Sequence, residues 1–271
     1  AKRMKIPIYH MEAGNRSFDL NVPEEINRKI IDHVADFNLV YTENSRQHLL
    51  SEGLSHRRIY LTGSPMNEVL NYFSDNINQS SILDNLSLKE SKYFVVSLHR
   101  EENVDNKNNL ISIINILNNL SEEYDMPIIF STHPRTKNNL SKLDIDVKID
   151  DRINFHKPFG FFDYVKLQKN AKCVISDSGT ISEESAILQF PAITLRNSME
   201  RPEALDAGSI ILTGFDINVV MNSIKIMIEE YNSQNIPLSV PNEYLINDTS
   251  RRVLNLIVGT AKLSNSWSGI Y

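Results

Sequence analysis

An α/β fold built on parallel sheets is what the sequence predicts, and two observations carry the prediction. Short apolar strand-like stretches alternate with amphipathic helical ones from Lys5 to Thr62. After a polar, Asn- and Ser-rich interval the alternation resumes and runs long enough for a nearly complete doubly wound domain.

The first run opens on Lys5–His10, a strand entering a polar loop. Pro23-Glu24-Glu25 starts a helix, since proline suits the first turn, where its missing N–H would be unpaired anyway. Ile26, Ile30 and Val34 recur every four residues and predict a core-facing stripe, with Arg28, Lys29 and Asp32 outward. Phe37–Thr42 is the next strand, Glu43–Glu52 a helix, and Arg58–Thr62 a strand ending at Gly63-Ser64-Pro65.

In the second run the expected strands are Tyr93–Leu98, Pro127–Ser131, Ile153–His156, Cys173–Ser176, Ala192–Arg196 and Ser209–Leu212. The expected helices include Lys107–Glu123, Phe162–Lys169, Ile181–Leu188 and Ile217–Tyr231. A last helix, Thr249–Leu263, carries Val253, Leu254, Ile257, Val258 and Ala261 on one face, and the tail Ser264–Tyr271 is docked by Trp267 if by anything. The expected division is therefore 1–75 for a first unit, 76–91 for a linker, 92–245 for a second unit and 246–271 for the final helix and tail.

Composition narrows the function. With 41% hydrophobic and 23% charged residues and a net charge of -6, the chain is an ordinary globular protein without the basic stripe of a nucleic-acid binder. No run is long enough for a membrane span, which leads to the expectation of a soluble cytoplasmic protein. The single cysteine, Cys173, excludes an intrachain disulfide, and its apolar surroundings predict a buried structural thiol.

Three polar clusters each follow an expected strand, where open α/β sheets place their ligands. In His10-Met11-Glu12-Ala13-Gly14-Asn15-Arg16 and Pro23-Glu24-Glu25, the carboxylates of Glu12 and Glu24 can divide acid and base roles if their surroundings separate their pKa values. Equally, Glu24 can simply complement the helix dipole. In Ser97-Leu98-His99-Arg100-Glu101-Glu102-Asn103, His99 emerges at the carboxyl edge of the sheet, as a structural histidine or a functional one, with Arg100 as an anion partner.

The third cluster, Ser176–Glu184, bridges a strand and a helix. Gly179 lets backbone amides approach a phosphate, Ser178 and Thr180 offer hydroxyls, the helix dipole favours negative charge, and Glu184 is within reach of ribose hydroxyls. Helix capping alone is the competing reading of the same serine and threonine. Arg201, in Glu200-Arg201-Pro202-Glu203, suits a bidentate diphosphate contact or a plain surface position. The run Phe159–Tyr164 offers base stacking or core packing. G-x-G-x-x-G, Walker A and H-E-x-x-H are all absent, so no dinucleotide, P-loop or metal chemistry is indicated and no cofactor is expected.

Together and in this order, His10–Arg16, Pro23–Arg28, Thr62–Pro65, His99–Glu102, Asp177–Glu184 and Glu200–Glu203 resemble the non-hydrolysing UDP-N-acetylglucosamine 2-epimerase family. Asn15–Asp19, Gly63–Met66, Lys157–Tyr164 and Ser178-Gly179-Thr180 look closer to its UDP-N-acetyl-L-fucosamine synthase branch, which serves capsule and O-antigen pathways. Thr180, in place of the second glycine of the commoner Ser-Gly-Gly form, supports that branch.

The resemblance implies two Rossmann-like domains of glycosyltransferase-B type, a homodimer, and a UDP-linked amino sugar as partner. By resemblance Glu12, Glu24 and His99 are catalytic, while Arg16, Tyr164, Ser178, Gly179, Thr180, Glu184 and Arg201 bind substrate, Tyr164 lying near the uracil. The family's first domain begins well before Ala1, so about a hundred residues, most of a Rossmann-type unit, are expected to be missing from this chain.

Inverting C2 of such a sugar requires acid/base groups on two faces of the ring and tight diphosphate binding if UDP is eliminated and re-added. A UDP-sugar glycosyltransferase and a non-catalytic nucleotide-sugar-binding remnant share the same expected fold, so fold alone does not separate the three.

Overall fold

The computed structural model describes residues 1–20, 22–142, 148–233 and 239–270. The chain divides into two units, Ala1–Tyr72 with Ser198–Glu203 and Pro241–Tyr271, and Phe73–Asn197 with Ala204–Val240.

The first unit holds a parallel sheet in the order β1 (Tyr9–Ala13), β2 (Phe37–Val40), β3 (Ile59–Leu61). Its small core joins Ala13, Val40, Leu49 and Ile59. The opening strand lies later than expected, so Glu12 belongs to the strand and not to the loop after it. The register slips between Met11 and Ala13, and Glu12 takes φ 63. A non-glycine residue in that left-handed region at a bulge costs about 1–3 kcal/mol and re-aims its side chain.

The helix Pro23–Val34 reverses the expected facing. Ile26, Ile30 and Val34 are exposed, whereas Asp32 and Glu25 are fully buried. Hydrogen bonds decide the matter. Asp32 accepts from the Gly14 amide and faces His10 and Arg16, and Glu25 accepts from the amide and hydroxyl of Ser17. Leaving those carboxylates outward would strand donors buried beneath the helix, which outweighs the apolar stripe.

The second unit is a six-stranded parallel sheet. Its strands are β4 (Phe94–Ser97), β5 (Ile128–Ser131), β6 (Ile153–His156), β7 (Cys173–Ser176), β8 (Ala192–Thr194) and β9 (Ile211–Leu212), in the order β6-β5-β4-β7-β8-β9. The helix Lys107–Tyr124 buries Leu110, Ile113, Leu117 and Leu120 on one side, and the Asn106 side chain caps it. Cys173 is buried in this core, and burial pushes its thiol up to about 12, the signature of an inert packing residue.

The boundaries depart from the expected ones at three places. The 76–91 stretch is not an open linker; the helices Ser74–Gln79 and Ile82–Asn85 bury Ile77 and Ile82, and Ser80 donates to Asp163 of the helix Phe161–Asn170 at 2.5 Å. The segment Ser198–Glu203 leaves the second unit for the first. So does everything from Pro241, held by Thr249, whose hydroxyl donates to the carbonyls of Thr62 and Ser64, both at 3.1 Å.

The last helix ends at Thr260, and a further helix, Leu263–Trp267, replaces a frayed tail. Trp267 does dock it, 6.2 Å from the Phe37 ring and under the Arg57 guanidinium. The tail's final residue, Tyr271, lies outside the described residues. Leu254 and Val258 of the Thr249–Thr260 helix are exposed. No helix among the described residues is long and apolar enough to cross a membrane.

Candidate functional site

In the second unit the strand order places β4 and β7 side by side with their chain continuations diverging to opposite edges of the sheet. That is the topological switch point, and the loops leaving both strands meet there. The loop after β4 carries His99 and Arg100, and the loop after β7 carries Ser178, Gly179 and Thr180.

Asp177 ties the two loops together. Fully buried, its carboxylate accepts from the His99 amide at 3.0 Å, the Arg100 amide at 3.0 Å and Asn103 Nδ2 at 2.9 Å. The Arg100 Nε donates to the Asp177 carbonyl at 2.8 Å. His99 Nδ1 lies 3.3 Å from Asp177 Oδ1 while the side chain is 46% exposed. A carboxylate accepts and cannot donate, so it favours the proton on Nδ1 and leaves Nε2 for a ligand.

The Ser178–Thr180 turn is not consumed by capping. The helix Ile181–Leu188 has Thr180 at its cap position without a side-chain cap bond. The two hydroxyls instead face each other, Ser178 Oγ to Thr180 Oγ1 at 2.9 Å, on a half-buried turn. Glu184, one turn on, is buried and accepts from Gln168 Nε2 at 2.7 Å. Tyr164 shares a hydrogen bond with Ser97, and burial, with Glu184 and Asp177 nearby, raises its hydroxyl above the ordinary tyrosine value. Tyr164 thus lies near both Asp177, which holds the His99 loop, and Glu184, in the helix after the turn.

One cavity of this unit, about 480 Å³, lies beside β5 and β6 and is lined by Thr132, Lys137, Phe155, His156 and Lys157 among others. None of the expected site residues lines it.

The first unit assembles a second cluster. The Glu12 carboxylate accepts from Asn15 Nδ2 at 3.1 Å and pairs with the Arg201 guanidinium, both on Oε1. Arg201 also lies over the Tyr41 ring, 5.8 Å from its centroid. Its neighbours anchor the segment to this unit, Glu200 by Arg28 at 3.6 Å and Glu203 by Asn44 and Tyr244, each at 3.4 Å. Gly14, at φ 79, is required here, because any side chain would strike the Ser45 carbonyl. Glu24 stands exposed in the first turn of its helix.

Arg16 departs from the expected substrate contact. Its side chain is fully buried. Nε and the terminal nitrogens hold Glu52 in a fork with both distances 2.7 Å, face Asp32 Oδ2 at 2.7 Å and donate to the Asn15 carbonyl at 2.8 Å. The guanidinium is a buried clamp that fixes the loop following Glu12.

The Arg16 guanidinium holds the Glu52 carboxyl at about 2, well below its ordinary 4.5, against an opposing effect of burial. A depressed folded-state value means that the pair's stability is complete above pH 4.5 and is lost as pH falls from there through about 2. The loss amounts to about 2–3 kcal/mol. Unfolding midpoints measured across that window should fall for the native protein and fall less for Glu52→Gln; parallel curves would remove the pair from the account.

Sequence reasoning missed Asp177, Gln168 and the pair His10–Asp32, whose Nδ1 and Oδ1 are 2.7 Å apart. Asp177 had a signal, as an acidic residue directly after a buried strand. Gln168 and Asp32 had none; the apolar spacing of the Pro23–Val34 helix turns Asp32 outward, opposite to where it lies.

A family model described as UDP-N-acetylglucosamine 2-epimerase matches residues 1–258. The UDP-N-acetylglucosamine 2-epimerase of Methanocaldococcus jannaschii is 37% identical over 236 residues, covering 85% of this chain and 64% of that protein. The structure of UDP-N-acetylglucosamine 2-epimerase from Rickettsia bellii matches with a TM-score of 0.91 at 47% identity, over 97% of this chain and 70% of that one. The Methanocaldococcus jannaschii enzyme in complex with UDP-GlcNAc and UDP matches with a TM-score of 0.86 at 33% identity, over 96% and 71%. This chain therefore spans about two thirds of the length of these relatives. A family match from residue 1 to residue 258 of 271 shows that the chain belongs to the UDP-N-acetylglucosamine 2-epimerase family.

Proposed function

We propose that the chain acts in a UDP-N-acetylhexosamine 2-epimerase that inverts C2 of a UDP-linked 2-acetamido sugar by elimination and re-addition of UDP. The observation that carries this reading is the Asp177 clamp, which joins His99 to the Ser178–Thr180 turn at the switch point of the second unit, in a chain of this family.

In the reading, a base takes the C2 proton while the C1–O bond to UDP breaks. The C2–H electron pair becomes the C1=C2 bond of a 2-acetamidoglycal, and UDP carries away the C1–O pair. UDP then re-adds at C1 as a proton returns to the opposite face of C2. Glu12 is the proposed base, being aimed by Asn15 and by its bulge, and Glu24 serves the other face. His99 Nε2 stabilises or protonates the departing diphosphate. The turn with Gly179, together with Arg201, binds the phosphates; Glu184 binds the ribose; Tyr164 sits by the uracil.

The quoted branch motifs favour the UDP-linked 6-deoxy L-talo/L-fuco pair over UDP-GlcNAc and UDP-ManNAc, with a role in capsule or O-antigen precursor synthesis. A cytoplasmic homodimer completes the proposal. Offering both substrates to the purified protein tests it. Formation of the C2 epimer, faster from the 6-deoxy sugar, is expected. Transfer of sugar to an added acceptor without epimer would show a glycosyltransferase, and UDP binding without turnover a binding module.

A further inference from the structure

Two groups that the proposed mechanism uses separately are bound to each other in this structure. Arg201, assigned to the diphosphate, pairs with Oε1 of Glu12, assigned to the C2 proton. Resting on that reading, we propose that the Glu12–Arg201 ion pair is a latch: the substrate's diphosphate competes for Arg201 and, by taking it, releases Glu12 to act as base.

The geometry suits such an exchange. The Arg201 side chain is 9% exposed and Glu12 38%, so the guanidinium is held in place while the carboxylate borders solvent. Tyr41, under the guanidinium, and the anchored neighbours Glu200 and Glu203 keep Arg201 in position whichever anion it meets. Asn15 Nδ2 donates to the same oxygen as Arg201, so the carboxylate stays aimed after the cation leaves it. The left-handed backbone at Glu12 maintains that aim independently of the pair.

Oε1 of Glu12, held by the guanidinium, is not free to take a proton from C2. A diphosphate carries more charge than a carboxylate and accepts a guanidinium in the same forked manner. Exchange therefore switches the base on only when a leaving group is in place. Arg201 thus faces an anion both in the resting protein and in the complex.

Calorimetric titration of UDP into the native protein, Glu12→Gln, Arg201→Gln and the double variant tests the latch, with circular dichroism confirming that each is folded. Glu12→Gln should bind UDP about 3- to 10-fold more tightly, since Arg201 no longer has to be drawn from a charged partner. In the Arg201→Gln background the same change should leave the affinity unaltered. Equal tightening in both backgrounds would mean simple charge repulsion between Glu12 and UDP, and no tightening in either would mean that the pair does not compete; each overturns the latch while leaving the UDP site intact. If Arg201→Gln by itself leaves UDP affinity unchanged, Arg201 is not a diphosphate ligand, and that part of the functional reading falls with the latch.

Discussion

Glu12→Gln should lower kcat by about 100- to 10,000-fold, the span expected when a positioned proton-transfer group is removed, with no loss of UDP affinity. The substitution keeps the side chain's shape and its hydrogen bond with Asn15, and removes the carboxylate proposed to take the C2 proton together with its ion pair to Arg201. An interaction used in the transition state alone lowers kcat and kcat/KM together. Steady-state kinetics of Glu12→Gln and Glu24→Gln side by side make the assignment. A large fall for the first and a matching or smaller one for the second is expected if the two carboxylates serve opposite faces of C2. An unchanged kcat in Glu12→Gln would hand the proton to another group.

Arg16→Met should destabilise the protein by about 3–5 kcal/mol, because it strands Asp32 and Glu52 without their cation. For a unit of this size that is a fall of roughly 10 °C or more in the unfolding midpoint. The Glu52 end is partly open to water and recovers some hydration, whereas Asp32 is fully buried and keeps only His10, the Gly14 amide and its share of the helix. Arg16→Lys should recover little, since one ammonium cannot span the fork to Glu52 and still reach Asp32. Thermal unfolding measured beside UDP titration separates this structural role from the substrate contact that the sequence suggested. A variant with native stability and weakened UDP binding would restore the latter.

These two residues mark how far the sequence could be read. Alternation of strands and helices made the parallel α/β fold legible, and β6 (Ile153–His156), β7 (Cys173–Ser176) and the helix Ile181–Leu188 fall where expected. The clusters after β4 and β7 were legible because ligand-binding loops leave the carboxyl ends of parallel strands, and His99 and Ser178 each sit two residues past theirs.

What failed was facing. The Pro23–Val34 helix has apolar residues at helical spacing, and periodicity sends them inward. A buried network of His10, Gly14, Arg16 and Ser17 sends Asp32 and Glu25 inward instead, through partners up to 22 residues away in sequence. The partners of Arg16 were hidden for the same reason, since Glu52 lies 36 residues on and nothing local announces the fork. The return of Ser198–Glu203 to the first unit is likewise a long-range matter, fixed by Arg201 with Glu12 and by Glu203 with Asn44 and Tyr244.

Elimination and re-addition of UDP is the central claim, and it leaves an isotopic trace. The protein incubated with its UDP-sugar in heavy water, followed by proton NMR and mass spectrometry, should yield an epimer carrying one deuterium at C2, lost from Glu12→Gln. An epimer formed without deuterium at C2, or deuterium appearing at another ring carbon, would contradict the mechanism.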